Sequence, residues 1–271
     1  MTRPEILLQV TDLRVEFGSR RWGKKPFVAV DGMSIEVPQG RTLGVVGESG
    51  SGKSTLGRAI LGLAPIAGGT ITFDGRDITR PMPRQRRALS SELQVVFQDP
   101  YSSLNPALTI ESILAEPLVA GGMSMSDART RIAGLLDLVA LPKDSLSRLP
   151  REFSGGQRQR IAIARAMARD PRLVVCDEAT SALDLSTQAR VIDLLLDIQE
   201  QTGVSYLFIT HDLDVVRHMS DEIVVVNRGR IVERGAAERV VTDPQEEYTK
   251  RLLAASPIPD PVAQRARRAA A

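Results

Sequence analysis

The run GESGSGKST at residues 47–55 holds three glycines, three serines and one lysine, and it sits between an apolar segment, TLGVV, and a helix-type segment, STLGRAILGL. The spacing Gly47, four residues, Gly52, Lys53, Ser54 is that of a phosphate-binding loop, and a strand before it and a helix after it are the context such a loop requires. Glycines let backbone N–H groups turn inward against phosphate oxygens, the helix N-terminus adds a partial positive charge, and Lys53 adds a full one. Ser54 would offer its hydroxyl to Mg²⁺ and Thr55 a donor to a neighbouring phosphate, with Glu48, Ser49, Gly50 and Ser51 completing the cradle. A plain turn is the competing reading of a Gly/Ser stretch; the strand and helix on either side weigh against it.

A phosphate loop needs a metal partner, and LVVCDEAT at 173–180 supplies one. Four apolar residues read as a fully buried strand whose end carries Asp177, a carboxylate expected beside the loop where Mg²⁺ would sit. Adjacent side chains leave an extended chain on opposite sides, so Glu178 is expected to point to the γ-phosphate and take a proton from an attacking water. A solvated strand end is the bland alternative for the pair. Cys176 reads as core filler.

The remaining pattern fits that frame. Ile6–Phe17 alternates as a strand, 33–37 and 41–46 read as strands joined by PQG, and 70–73 is a strand ending in the turn pair Asp74-Gly75. From about 99 to 155, helix-type spacing broken by Pro106, Pro117, Pro142 and Pro150 reads as a small inserted helical subdomain. Beyond it, helices over 156–168 and 187–201 and a short one from Asp212 alternate with strands at 173–176, 206–209, 223–226 and 230–233, the last two joined by NRG. Such alternation argues for a parallel α/β core. GSRRWGKKP at 18–26 reads as a solvated basic connection, and the Pro- and Ala-rich tail from Pro257, with Arg265, Arg267 and Arg268, as loosely ordered.

Composition narrows the classes. With 271 residues, 42% hydrophobic and 25% charged, the chain can bury one large core, or a core with a subdomain. A net charge of +2, from 35 basic and 33 acidic residues, gives no reason to expect a nucleic-acid partner. One cysteine excludes an intrachain disulfide and a four-cysteine metal or iron–sulfur site, and fits a reducing, cytoplasmic compartment. MTRPEILLQV lacks the apolar segment of a signal peptide and no stretch reaches the roughly 18 apolar residues of a membrane span; any membrane role is expected to be peripheral.

FSGGQRQR at 153–160 resembles the signature of the ATP-binding cassette transporters, commonly LSGGQ, with Phe153 as a conservative departure. Ser154, Gly155 and Gly156 at a helix start, followed by Gln157, form a second anion site in physical terms, although Ser154 is equally well read as a helix N-cap. The resemblance implies two cassettes dimerising head to tail, each ATP between the phosphate loop of one and the signature of the other. It extends to VVFQDP, where Gln98 matches the glutamine that senses Mg²⁺ and the water; to SALD, where Asp184 matches the residue organising the dimer contact; and to FITHD, where His211 matches the histidine holding the γ-phosphate and the catalytic water. His218 reads as a structural helix residue. Phe17 corresponds to the aromatic that stacks on adenine, with Trp22 and Phe27 as competitors. Ala179 departs from the proline often found after the glutamate.

The resemblance covers about 7–261. FQDPYSSLNPALTIESILAEPL and YTKRLLAASPIPDP are similar to cassettes of the peptide/nickel importer group, most like its oligopeptide and dipeptide members, with nickel or another small solute as the alternative cargo. The fold implied is an α/β phosphate-loop NTPase core of the cassette type, over 1–256, with an antiparallel β region at its start, the helical subdomain within it, and a tail over 257–271. The implied partners are a second cassette, identical or different, two membrane permease subunits and, indirectly, a solute-binding protein, placing the chain at the cytoplasmic face of the membrane. Some relatives carry a C-terminal four-cysteine cluster; with no cysteine in the tail, no iron–sulfur centre carries over. A soluble cassette ATPase would show two cassettes or a coiled-coil insertion, and neither is present.

Overall fold

The computed structural model describes residues 5–18 and 26–255. The basic connection with Trp22 and the Arg-rich tail lie outside the described residues. The chain divides into two compact units, one of residues 1–81 with 207–271 and one of residues 82–206.

The first unit opens with β1 (Ile6–Phe17) and β2 (Phe27–Pro38), an antiparallel pair. Leu8, Val10, Leu13 and Val15 are buried while Gln9, Thr11 and Asp12 are exposed, the alternation of a sheet with one face on a core. Next comes β3 (Thr42–Val46), buried at all five positions, followed by α1 (Lys53–Ile60). β4 (Gly68–Phe73) and β5 (Arg76–Asp77) complete a four-stranded sheet of order β2-β1-β4-β5. On β2, Asp31 accepts from Arg230 at 2.5 Å and is also paired with Arg14. Those guanidiniums, Arg230 foremost, hold its carboxyl below the usual range.

The second unit begins with α2 (Pro83–Glu92), started by proline at its first position and closed by Gln85, which accepts from the Met82 amide at 2.8 Å. β6 (Leu93–Phe97) leads to α3 (Pro100–Ser103), α4 (Ile110–Ala120) and α5 (Met125–Leu138). Thr109 and Ser124 cap the two longer helices through the amides of Ser112 and Asp127. Pro117 does not break α4, contrary to the expectation: the helix runs through it, since a proline costs its own N–H bond while its neighbours keep theirs. Two short 3₁₀ turns, Lys143–Ser147 and Pro150–Glu152, precede α6 (Gly155–Met167). β7 (Leu173–Asp177) pairs in parallel with β6, Leu93 opposite Leu173 and Phe97 opposite Asp177. α7 (Leu185–Thr202) ends on Gly203 in the left-handed region. The expected helical stretch, 99–155, lies wholly within this unit.

With β8 (Ser205–Thr210) the chain returns to the first unit at Leu207. α8 (Leu213–Met219) is capped by Asp212. β9 (Glu222–Asn227) runs parallel to β3 and antiparallel to β10 (Arg230–Ala236), and β8 neighbours β3 on its other side. α9 (Ala237–Thr242) and α10 (Glu247–Ala255) follow, the latter seated by buried Thr249, Leu252 and Leu253. His218 is inside α8 as expected, but on its exposed side, so it fills no core.

Cys176 is fully buried on β7, and burial, with Asp177 beside it, pushes its thiol up to about 12. At pH 8 less than roughly one thiol in a thousand is then thiolate, the reactive form. Ellman's reagent should find no reactive thiol in the native protein and one per chain in denaturant; rapid native labelling would contradict the packing of β7.

Candidate functional site

The loop 47–55 belongs to the first unit, where the fully buried β3 delivers it and α1 receives it. Gly52 is the N-cap of α1 with φ 110° and makes no side-chain cap to the helix end, so the first turn receives no capping side chain from it. A Cβ on Gly52 would collide with the Ala29 carbonyl, and one on Gly47, at φ 157°, with the Val226 carbonyl. Only glycine lets the chain lie this close to β2 and β9.

Lys53 is 3% exposed, and its ammonium donates to the carbonyls of Gly47 and Glu48, each at 2.8 Å. The Ser51 amide also donates to the Glu48 carbonyl, at 3.2 Å. From outside, the Gly229 amide at the β9–β10 turn donates to Ser51 O at 2.8 Å, and the Glu48 amide donates to the Tyr248 hydroxyl at 3.2 Å. Ser51 Oγ is buried and has no hydrogen-bond partner among the described residues. A buried hydroxyl of this kind calls for a polar partner, and beside an ammonium and a helix N-terminus the chemistry of the donor set fits a phosphate group.

His211 follows β8, next to β3 in the strand order, and is exposed. Phe17 ends β1 as the cross-strand partner of Phe27, and both are exposed, at 42% and 67%. The pair that competes for the aromatic role therefore sits together.

The second unit assembles the other set. Because Phe97 is paired with Asp177 in a parallel register, Gln98 and Glu178 both leave the same end of the β6–β7 pair. Asp177 is 7% exposed. Glu178 departs from the expectation: it is not extended but left-handed, φ 53°, so alternation along a strand does not set its direction. A non-glycine residue held there is locally strained, and the Ser181 amide donating to its carbonyl at 3.0 Å closes the turn that holds it.

Ser154 caps α6: its hydroxyl accepts from the Gln157 amide at 3.3 Å while Gln157 Oε1 accepts from the Ser154 amide at 2.9 Å. Asp184 caps α7, accepting from Ser186 Oγ at 2.6 Å and from the Thr187 amide at 3.0 Å. The Ser186 hydroxyl, then Thr187, holds the Asp184 carboxyl well below the usual range. The two caps are neighbours, because a Cβ on Gly156 would strike the Thr187 methyl, while one on Gly155 would rest 3.7 Å from Leu183. Arg158 lies over the Tyr101 ring at 4.1 Å and donates to Phe153 O at 3.0 Å. Neither Tyr101, Arg158 nor Tyr248 stood out in the sequence, since nothing in their local pattern marks the contact each makes.

A family model described as ABC transporter matches residues 30–181. The oligopeptide transport ATP-binding protein OppD of Mycobacterium tuberculosis is 52% identical over 233 residues, 86% of this chain and 38% of that protein. The chain thus spans well under half the length of that relative. The dipeptide transport ATP-binding protein DppF of Lactococcus lactis subsp. cremoris is 45% identical over 271 residues, 98% of this chain and 86% of that one. Among solved structures, the ATP-binding cassette MJ0796, in a dimeric post-hydrolysis state bound to ADP and Pi, superposes with a TM-score of 0.75 at 26% identity over 85% of this chain and 98% of its own.

Glycine replacements separate close approach from mere backbone strain. Gly50, at φ 78°, meets nothing on gaining a Cβ, so Gly50→Ala should cost about 1 kcal/mol. Gly47→Ala and Gly52→Ala, which force a carbonyl to move, should each cost at least about 3 kcal/mol. Denaturant midpoints of the three variants decide the matter; equal losses would refute the close packing of the loop.

Proposed function

This chain belongs to the ABC transporter family, and we propose that it is the nucleotide-binding, ATP-hydrolysing subunit of an importer whose cargo is an oligopeptide or dipeptide. The observation that carries the reading is the glycine cradle holding a buried lysine and an unpartnered buried serine hydroxyl.

In this reading Lys53 and the first-turn amides of α1 hold the β- and γ-phosphates of ATP, with Ser51 and Thr55 as hydroxyl donors and Phe17, beside Phe27, under the adenine. Ser54, Asp177 and Gln98 would hold Mg²⁺, a cation suited to hard oxygen donors such as this hydroxyl, carboxylate and amide oxygen. When bound, the ion neutralises charge developing on the transferring phosphoryl group. Glu178 takes the proton of the attacking water and His211 orients that water and the γ-phosphate. Ser154, Gly155, Gly156 and Gln157 face the nucleotide of a second cassette, with Asp184 at the same contact. The dimeric, ADP- and Pi-bound state of MJ0796 supports such an arrangement, for a like or an unlike mate. Peptide cargo is supported by the names of OppD and DppF. No helix among the described residues is long and apolar enough to cross a membrane; we assign the passage of cargo to two permease subunits fed by a solute-binding protein, with this chain at their cytoplasmic face.

Lys53→Ala should weaken binding of a fluorescent ATP analogue at least tenfold. Glu178→Gln should bind it normally, hydrolyse at least about 100-fold more slowly and, with its mate present, persist as an ATP-dependent dimer in size-exclusion chromatography. Undiminished affinity in the first variant, or full hydrolysis in the second, would remove the corresponding role.

A further inference from the structure

We propose that Tyr248 is a positioning residue for the phosphate loop: its hydroxyl orients the Gly47–Glu48 peptide and, through that peptide, the ammonium of Lys53. The proposal rests on the nucleotide-cradle reading of residues 47–55 and adds to it a part of the chain far along in sequence.

The geometry centres on one peptide plane. Its N–H, that of Glu48, donates to the Tyr248 hydroxyl at 3.2 Å; its C=O, that of Gly47, accepts from Lys53 Nζ at 2.8 Å. A peptide is planar, so rotation that frees one end must swing the other. Gly47, with no Cβ, offers little steric resistance of its own to such rotation. The tyrosine supplies the restraint that the glycine lacks. The next carbonyl, Glu48 O, accepts from both Lys53 Nζ and the Ser51 amide, so a turned 47–48 peptide would disturb both of these loop carbonyls that hold the lysine.

Tyr248 is itself held firmly. It lies in the first turn of α10, whose Thr249, Leu252 and Leu253 are buried. Just before the helix, the amides of Gln245 and Glu246 donate to the two carboxylate oxygens of Glu233 on β10, at 2.7 and 3.2 Å. The same β9–β10 hairpin touches the loop from another direction through Gly229 and Ser51. The loop is therefore gripped at both peptides flanking its bend by elements from the last quarter of the chain, and α10 acts as a strap across it.

The test uses the full chain and titration with a fluorescent ATP analogue plus magnesium. Tyr248→Phe keeps the ring and removes the acceptor, and should raise the dissociation constant three- to tenfold, with KM for ATP rising in parallel and kcat within twofold. In the Lys53→Ala background the same change should have no further effect, because the hydroxyl acts through the lysine. A change below threefold for Tyr248→Phe, or additive losses in the double variant, would overturn the proposal while leaving the cradle intact. An unaltered affinity for Lys53→Ala alone would instead overturn the cradle reading.

Discussion

An ammonium taken out of water must find oxygen acceptors or give up its charge, and Lys53, almost wholly buried, finds two in the carbonyls of its own loop. Much of the first unit can be understood as making that arrangement possible. The loop must fold back on the lysine tightly enough to present Gly47 O and Glu48 O, which brings its backbone against β2 and β9 and excludes side chains at Gly47 and Gly52. The strands on which it leans are tied in turn by Asp31, whose carboxylate is shared between Arg14 and Arg230 and whose amide donates to the Gly229 carbonyl. An isolated ion pair at a surface contributes little; here the pairs matter because they hold the wall behind a close backbone approach.

The second unit answers a different physical problem, that of aiming polar groups from the ends of buried elements. A parallel pair of strands ends both its members at one edge, which is why Gln98 and the Asp177–Glu178 pair emerge together. Cys176, one residue earlier, is held as a neutral thiol by burial, and the Asp177–Glu178 pair follows where the strand stops. The left-handed backbone at Glu178 is a local cost at the point where the buried strand ends.

Much of this was legible in the sequence for reasons that are local. GESGSGKST declares itself because glycine spacing, a following lysine and the flanking apolar strand are all short-range requirements, and the ends of β1 matched the alternation of Ile6–Phe17. β7 and β8 were readable as unbroken apolar runs. α2, α9 and α10 were not anticipated: α2 buries only Leu89, so it lacks the apolar stripe by which a helix is recognised, and α9 and α10 are short. The backbone at Glu178 escaped because alternation presumes an extended chain, and Pro117 misled because a proline removes only its own N–H from the helix ladder and need not end it. Tyr248 meets Glu48 across 200 residues of sequence, a relation that no local pattern encodes.

Gly156 carries one more implication. With no space for even a methyl group between it and the Thr187 side chain, the tips of α6 and α7 lie directly against one another, and each tip is already closed by its own serine or aspartate cap. Two positively poled helix ends thereby stand side by side. Any larger residue in place of Gly156 would have to turn the Thr187 side chain aside, so whatever meets this edge of the molecule meets both tips as close neighbours.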